Sequence, residues 1–564
     1  MGNRRFGATI WGVLFTAAIV SCGAAHARDY FLTVGGGYSS TGNQVSLEKN
    51  VQFFERLLVE QGLAAVPHDI FFSDGDSPRR DVQYYDPEFK VPKVNQLLAR
   101  IHGTEDGLSD RYRTHALKNV RGASSRENLQ RWFQEIGGKL QSGDRLLIYL
   151  TGHGGRGKPI ENPHFYLWNG ERMSVREFVA ELDKLPAGVS VVTVMVQCYS
   201  GGFANIVFNK GDDEKGLATA ARCGFFSTVR DRVAAGCTPD IAEEDYHEYS
   251  TYFWAALGGK TRLGVPIEKP DYDGDGRVSF VEAHAYALLN SPTIDISVKT
   301  SDVFLRAYST LKAGDNEALL TLETPYNELL AVAEPVERAV IEGLSSQLEL
   351  TESGRAKAAR KLAKSIERER REIEGHKRKL KFELGKIRKQ LRDALRGEWP
   401  ELENPWHPDV ASFLALDAAA IVSAIESHPQ YSRFVALRSN VEQLEDSRFD
   451  LERRWVKCQR LIRALENVVL AANLTHIASP EIVARYTRLL AEESGTLREG
   501  PSARFEEVDE NPVVIVPVST PTSETEEERP RPSNVDTGKD VDGADETADD
   551  EPLNCRVSVD GTYR

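Results

Sequence analysis

Two short stretches of the chain each set one reactive side chain among glycines. One is Tyr149-Leu150-Thr151-Gly152-His153-Gly154-Gly155, and the other is Val194-Met195-Val196-Gln197-Cys198-Tyr199-Ser200-Gly201-Gly202. A thiol and an imidazole that meet are the minimal unit for acyl transfer: the imidazole takes the thiol proton and the thiolate attacks a carbonyl carbon. Glycine lets backbone approach a substrate closely. The backbone N–H groups of Gly154 and Cys198 are candidates to hold the oxyanion that the attack creates. Taken singly, neither residue says much, because a buried cysteine is usually a small hydrophobe and a histidine beside glycines is usually a loop residue. Their joint placement, each after an apolar run, marks Cys198 as nucleophile and His153 as general base.

A second constellation is built of oxygen donors. Asp271-Tyr272-Asp273-Gly274-Asp275-Gly276-Arg277-Val278-Ser279-Phe280-Val281-Glu282 matches the EF-hand calcium loop at every ligand position. Asp271, Asp273 and Asp275 offer side-chain oxygens, Arg277 its carbonyl, Ser279 a hydroxyl or a bound water, and Glu282 a bidentate carboxylate. Gly276 makes the turn. The plain alternative is an acidic turn that binds nothing. A helix follows the loop, at 281–289, but Pro266 and Pro270 leave none before it. The expectation is one structural or conditional Ca2+ site, not a sensor pair. Extracellular loops of this kind bind at about 0.1–1 mM.

Positioning these groups takes a sheet. Apolar runs at 30–34, 68–72, 145–150 and 190–196 alternate with helical patterns at 47–61, 124–140 (with Ser125 as N-cap) and 175–185. Continuous β-branched runs alternating with helices predict an α/β fold with a buried, mostly parallel sheet over 28–330. In such sheets sites gather at the carboxyl edge. His153 and Cys198 each follow a predicted strand, so they can meet although they lie far apart in sequence.

The segment Leu146-Leu147-Ile148-Tyr149-Leu150-Thr151-Gly152-His153-Gly154 resembles the histidine strand of legumain-type peptidases. Gln197-Cys198-Tyr199-Ser200-Gly201 resembles the cysteine motif shared by legumains, metacaspases and caspases. The run at 30–37 and the helix after it are similar to that clan's first strand, loop and helix, so the resemblance spans roughly residues 28 to 290. It implies a caspase-like sheet with helices on both faces, a Cys-His dyad and endopeptidase activity on peptide or protein substrates. The chain departs from the pattern twice. Legumains carry Asp before the histidine, where this chain has Gly152. Metacaspases and legumains carry an acid of the S1 pocket two residues before the cysteine, where this chain has Val196. With Val196 as S1 wall, a buried cationic P1 side chain would lack a partner. P1 is therefore expected not to be simply Arg or Lys unless another acid, Asp231 or Asp29, serves.

The remainder of the chain has a different character. At 564 residues it is too long for one hydrophobic core, and length alone suggests roughly three to four domains. Its net charge of −15 argues against broad nucleic-acid binding. An α-helical coiled-coil region is predicted over 345–495. In its first helix, 354–396, Ile366, Ile373, Leu380, Ile387 and Ala394 recur every seven residues with Leu384 and Leu391 in the other seam position, but Arg370 and Lys377 also fall in the seam. Helices at 431–472 and 480–493 follow, the first two forming an antiparallel hairpin. This hairpin is the candidate surface for self-association or a protein partner, against the plainer reading of a solvated charged face. Residues 500–553 form an acidic, Pro- and Thr-rich tail with the composition of a disordered segment.

Residues 1–27 read as an export signal: Arg4 and Arg5, an apolar stretch at 7–20, then Ala25-His26-Ala27. Ile19-Val20-Ser21-Cys22 alternatively resembles a bacterial lipobox, which would leave a lipid anchor on Cys22. Both readings place the protein outside the cytoplasm, in the periplasm or beyond, where disulfides form. Of the six cysteines, Cys223 and Cys237 are close enough in sequence to pair, Cys458 and Cys555 form a weaker pair, and Cys198 is the odd thiol left. The leading expectation is an exported, calcium-binding cysteine endopeptidase. A catalytically silent caspase-like scaffold acting through its hairpin and tail is the runner-up, and a calcium-regulated surface protein the third reading.

Overall fold

The structure is a computed structural model that describes residues 28–314 and 316–498. The expected export signal with Cys22, and the acidic tail with Cys555, lie outside the described residues. Among the described residues, seven strands form one sheet: β1 (Asp29–Gly36), β2 (His68–Phe72), β3 (Val120–Gly122), β4 (Arg145–Gly152), β5 (Ser190–Met195), β6 (Arg222–Phe226) and β7 (Val298–Lys299). Their order is β7-β6-β5-β4-β1-β2-β3, parallel throughout except for the antiparallel edge strand β7. The expectation of a mixed α/β fold on a mostly parallel sheet is met.

Every residue of β4 and of β5 is buried, as central strands covered on both faces must be. Alternate side chains serve opposite layers. Phe31, Leu147, Tyr149, Val192 and Val194 pack with α1 (Val45–Glu60) and α5 (Tyr249–Gly258) through Phe54, Phe253 and Trp254. Leu32, Val34, Leu146, Ile148, Val191 and Met195 pack with α3 (Arg126–Glu135) and α4 (Val175–Leu182) through Trp132, Phe133 and Phe178. The helix expected over 124–140 is shorter. Ser125 Oγ accepts from the Asn128 N–H at its start, as expected, and a 3-10 turn at Gly137–Lys139 follows its end; glycine disfavours continuing the helix.

The helical region shares cores with the sheet layer instead of standing apart. The long helices α10 (Arg355–Glu398) and α12 (Tyr431–Ile477) run antiparallel, as the pairs Arg360–Glu466, Lys377–Glu445 and Arg433–Glu383 require. The two seam charges find partners: Lys377 Nζ lies 2.7 Å from Glu445, and Arg370 pairs with Glu452. Between the long helices, α11 (Val410–Ser427) packs on α2 (Lys93–His102), which belongs to the first half of the chain. The helices α6 (Phe280–Asn290), α8 (Tyr326–Val332) and α9 (Pro335–Gln347) close a further core with α10 and α12.

The chain then returns to the sheet. α13 (Pro480–Glu493) ends beside β7 and α7 (Thr300–Tyr308), where the fully buried Glu493 takes an ammonium and three neutral donors. Lys299 Nζ lies at 3.1 Å, Thr300 Oγ1 at 2.7 Å, Ser301 N at 2.7 Å and Ser301 Oγ at 2.8 Å. A buried ion pair contributes little against an apolar replacement, but removing one partner strands the other. Glu493→Ala should therefore cost about 3–5 kcal/mol of stability, and adding Lys299→Met should recover much of it. Denaturant midpoints of the two variants check this; equal losses in both would contradict it.

Candidate active site

The register of the sheet decides which residues meet. β4 pairs with β1 so that Gly152 lies opposite Gly36, and with β5 so that Leu150 lies opposite Met195. Three loops therefore leave the sheet side by side at its carboxyl edge, carrying residues 37–44, 153–155 and 196–199. The last makes a sharp corner: Tyr199 has φ +61°, a conformation costly for a bulky residue, and a 3-10 helix over Ser200–Val207 follows. The peptide that follows Cys198 is met from the other side by Gly154, where a Cβ would lie 2.1 Å from the Cys198 carbonyl oxygen. Only glycine fits there, and it brings the backbones of the two motifs into contact.

His153 is 3% exposed. Its Nε2 lies 2.7 Å from the Gly42 carbonyl and 3.0 Å from Gln44 Oε1. Both partners can only accept, so Nε2 carries the hydrogen and Nδ1 the lone pair. The Tyr38 ring stands edge-on to the imidazole, centroids 5.3 Å apart. Burial pulls the imidazole down to about 4 against the opposing pull of the Gly42 carbonyl, so it is neutral at pH 7. A second sulfur, that of Cys237, lies 3.7 Å from Nδ1. Burial, and the charges Cys198 and Glu248 can carry nearby, push the Cys237 thiol up, so it stays protonated.

The thiol of Cys198 is also covered, at 8% exposure. The cover is the chain between β6 and α5. Cys198 Sγ accepts from the Ala234 N–H at 3.3 Å, and the Tyr199 N–H donates to the Arg232 carbonyl at 2.8 Å. The same segment is held from outside. Asp295 Oδ1 accepts from the Ala235 N–H at 2.8 Å, Ser46 Oγ accepts from the Thr238 N–H at 2.9 Å, and Arg232 donates to Glu452 of α12 at 2.6 Å while lying over the Trp455 ring. Phe449 of α12 packs on Ala235 and Ile294. Residues 232–238 thus form a strap across the histidine and the cysteine, clamped by the helical hairpin.

The other expected site residues fall as follows. Val196 is buried in the core shared with Val207, Phe208 and Tyr249, so it faces side chains and not an open pocket. Cys223 and Cys237 are not bonded to each other: both are free. Strand pairing puts Cys223 beside Val192 inside the core, whereas the strap carries Cys237 over the carboxyl edge to His153. Asp29 is at the opposite edge of the sheet, its carboxylate paired with Arg145 at 2.7 Å, and is removed from the site. Asp231 is exposed at the start of the strap. Sequence reasoning missed Gln44 and gave Cys237 only as a disulfide partner of Cys223; no local pattern marks either as a neighbour of His153, which lies 109 and 84 positions away.

The calcium-loop residues are brought together in part. Asp271, Asp273 and Asp275 have carboxylate oxygens within 4.8 Å of one another, and Asp271 Oδ1 is buried without a hydrogen-bond partner. An all-oxygen donor set with an orphaned carboxylate oxygen fits a hard cation. Glu282 sits at the mouth of the loop, with Oε1 accepting from the Tyr272 N–H at 2.7 Å and Oε2 capping α6 with Ser279. Lys269 donates to Asp271 and to the Gly276 carbonyl, so its ammonium lies against the same acidic face. As expected, a helix follows the loop and none directly precedes it.

No protein-family model matches the chain, and no curated protein matches it. Among solved structures, the crystal structure of protein GSU0716 from Geobacter sulfurreducens is similar over 37% of this chain and 75% of its own length, at 12% identity and a TM-score of 0.22, a likeness too slight to bear on function.

The clamp can be loosened without touching His153 or Cys198. A charge-assisted hydrogen bond of this kind contributes about 1.5–3 kcal/mol, and 1.4 kcal/mol is a tenfold change in an equilibrium. Arg232→Ala or Glu452→Gln should therefore speed alkylation of Cys198 by iodoacetamide about tenfold, read by peptide mass mapping. An unchanged rate in both variants would mean that the strap is not held by the hairpin.

Proposed function

We propose that this chain is an exported cysteine endopeptidase of the caspase/legumain type, held in a closed state, with Cys198 as nucleophile and His153 as general base. The observation that carries the reading is the convergence of the two motifs at the ends of neighbouring parallel strands, with the Gly154 and Cys198 backbones in contact. The tautomer of His153 supports it, because Nδ1 bears the lone pair that a base needs. Once the strap lifts, His153 takes the Cys198 proton and the thiolate attacks the scissile carbonyl. The backbone N–H groups of Gly154 and Cys198 take the oxyanion. His153 then protonates the leaving amine, and water, deprotonated by the same imidazole, releases the acyl group from sulfur.

Peptide or protein is the substrate, and nucleic acid is no partner. Export follows from residues 1–27, or anchoring from a lipid on Cys22. With Val196 in the core, P1 is not simply Arg or Lys unless the exposed Asp231 serves as the acid. Asp271, Asp273 and Asp275, with Glu282, the Arg277 carbonyl and Ser279, would hold one calcium ion, which would brace the start of α6 and compete with the Lys269 ammonium. The second reading, a silent scaffold acting through the hairpin, is favoured by the burial of both dyad residues.

A mixed peptide library separates the two readings. The full chain should cut internal peptide bonds, cleavage should be lost in Cys198→Ala and in His153→Ala, and it should rise in calcium at a few millimolar, a concentration above the range of about 0.1–1 mM for such loops. Asp271→Asn with Asp273→Asn should abolish calcium binding in calorimetry. No cleavage by a folded wild-type chain, or by its Arg232→Ala variant, with or without calcium, would establish the scaffold.

A further inference from the structure

The imidazole of His153 is the end of a hydrogen-bond chain that crosses three separate parts of the sequence. Gln44 Oε1 faces His153 Nε2 at 3.0 Å, and Gln44 Nε2 donates to Gln83 Oε1 at 3.3 Å and to the Thr41 carbonyl at 3.3 Å. Gln83 Nε2 in turn donates to Asp110 Oδ2, with Tyr112 Oη 3.4 Å away. Gln44 is 1% exposed and Gln83 0%, so water does not compete for either amide.

The backbone is built to hold this chain. Residues Val82–Tyr85 pair antiparallel with Asp110–Arg113, and the same residues dock on the loop after β1, where Gln44 bridges to Gln83 and the Gln83 N–H donates to the Asn43 carbonyl at 2.8 Å. This excursion between β2 and β3 adds no strand to the main sheet. Its effect at the site is to place an amide and a carboxylate behind the histidine.

The direction of the chain is fixed from its far end. A carboxylate only accepts, so Asp110 obliges Gln83 to present its NH2 group outward and its oxygen inward. Gln44 must then turn its NH2 toward Gln83 and its oxygen toward His153. That oxygen, like the Gly42 carbonyl beside it, accepts only from an Nε2–H. An isolated buried glutamine could sit either way round; this one cannot without leaving two buried donors face to face, at a cost of about 1–3 kcal/mol for each unsatisfied group.

We propose that Gln44 and Gln83 are positioning residues that pass the orientation demanded by Asp110 to His153, holding the imidazole in the Nε2–H tautomer with Nδ1 as base. This rests on the reading of His153 as general base. An acid directly against the imidazole would raise its pKa and narrow the pH range over which it is neutral. Two intervening amides give the orientation while keeping the charge at a distance, and the imidazole stays neutral, as burial also favours. The other titratable groups about the ring are Tyr38 from the loop after β1 and the thiols of Cys237 and Cys198, with Glu248 beneath the strap.

The test is 15N-histidine NMR on the full chain, with His153 assigned by its loss in His153→Gln. In wild type the ring should be the Nε2–H tautomer and resist protonation down to about pH 5. Gln83→Leu and the near-isosteric Asp110→Asn should each raise the share of the Nδ1–H tautomer, while the Gly42 carbonyl keeps Nε2–H the major form. Gln44→Glu, which brings a carboxylate to Nε2, should raise the pKa of His153 by about one unit or more and shift the acid limb of Cys198 alkylation upward with it. A merely structural role for these amides would change stability and leave tautomer and pH profile alone. An unaltered tautomer in both Asp110→Asn and Gln83→Leu, with no pKa change in Gln44→Glu, overturns the proposal. The readout needs no turnover: tautomer changes in a chain that cuts no peptide leave the relay standing and remove the endopeptidase.

Discussion

Leu150 lies opposite Met195 because β4 and β5 are parallel neighbours in fixed register, and almost everything at the site depends on that pairing. A slip of one residue would turn every side chain of β5 to the other face, exchanging the layer that packs on α1 and α5 with the one that packs on α3 and α4. Both faces are filled, so the register cannot drift. With it held, the residues just past the two strands have no freedom to separate. Gly154 must lie against the Cys198 carbonyl, and the corner at Tyr199 must carry a strained φ. The strain is carried by two complete cores, each of which would be lost if the corner relaxed by pulling β5 out of line.

The same edge explains why the site is closed. A parallel sheet ends in a row of backbone and side-chain groups that need partners, and here the segment leaving β6 supplies them. It covers Cys198 with the Ala234 N–H and His153 with the Cys237 sulfur. The strap has little apolar weight of its own; Phe449, Trp455 and Glu452 on α12 and Asp295 after α6 hold it in place. The calcium-loop residues lie at the start of α6 and Asp295 beyond its end, so one helix links that loop to the strap. The long hairpin is thereby part of the site's cover as well as a body of helix, and its seam charges Arg370 and Lys377 are explained by partners on the facing helix.

Local signals were legible in the sequence and long-range ones were not. The buried strands β1, β2, β4 and β5, the N-cap at Ser125, the long helices and the helix after the calcium-loop residues all carry their pattern within a few residues. The histidine and cysteine motifs were readable for the same reason. The short strands β3 and β7 have too few residues to set a period, and α11 was hidden by the prolines before it, although among the described residues it is the one helix long and apolar enough, by length and composition, to cross a membrane. Gln44, Gln83 and Cys237 have no spacing to betray them, since what makes them part of the site is contact with His153 or with each other across the fold. The pairing of Cys223 with Cys237 failed because nearness in sequence says nothing once one residue is inside a strand and the other in a loop crossing the sheet edge.

Which sulfur becomes acylated decides whether Cys198 is the nucleophile. An activated peptide thioester, quenched in acid after brief exposure to the Arg232→Ala variant and mapped by mass spectrometry, measures that directly. The acyl group should be found on Cys198, should be absent from Cys237, and should disappear when His153→Ala is added. Acylation of Cys237 in its place, or none at all on a folded chain, would contradict the account.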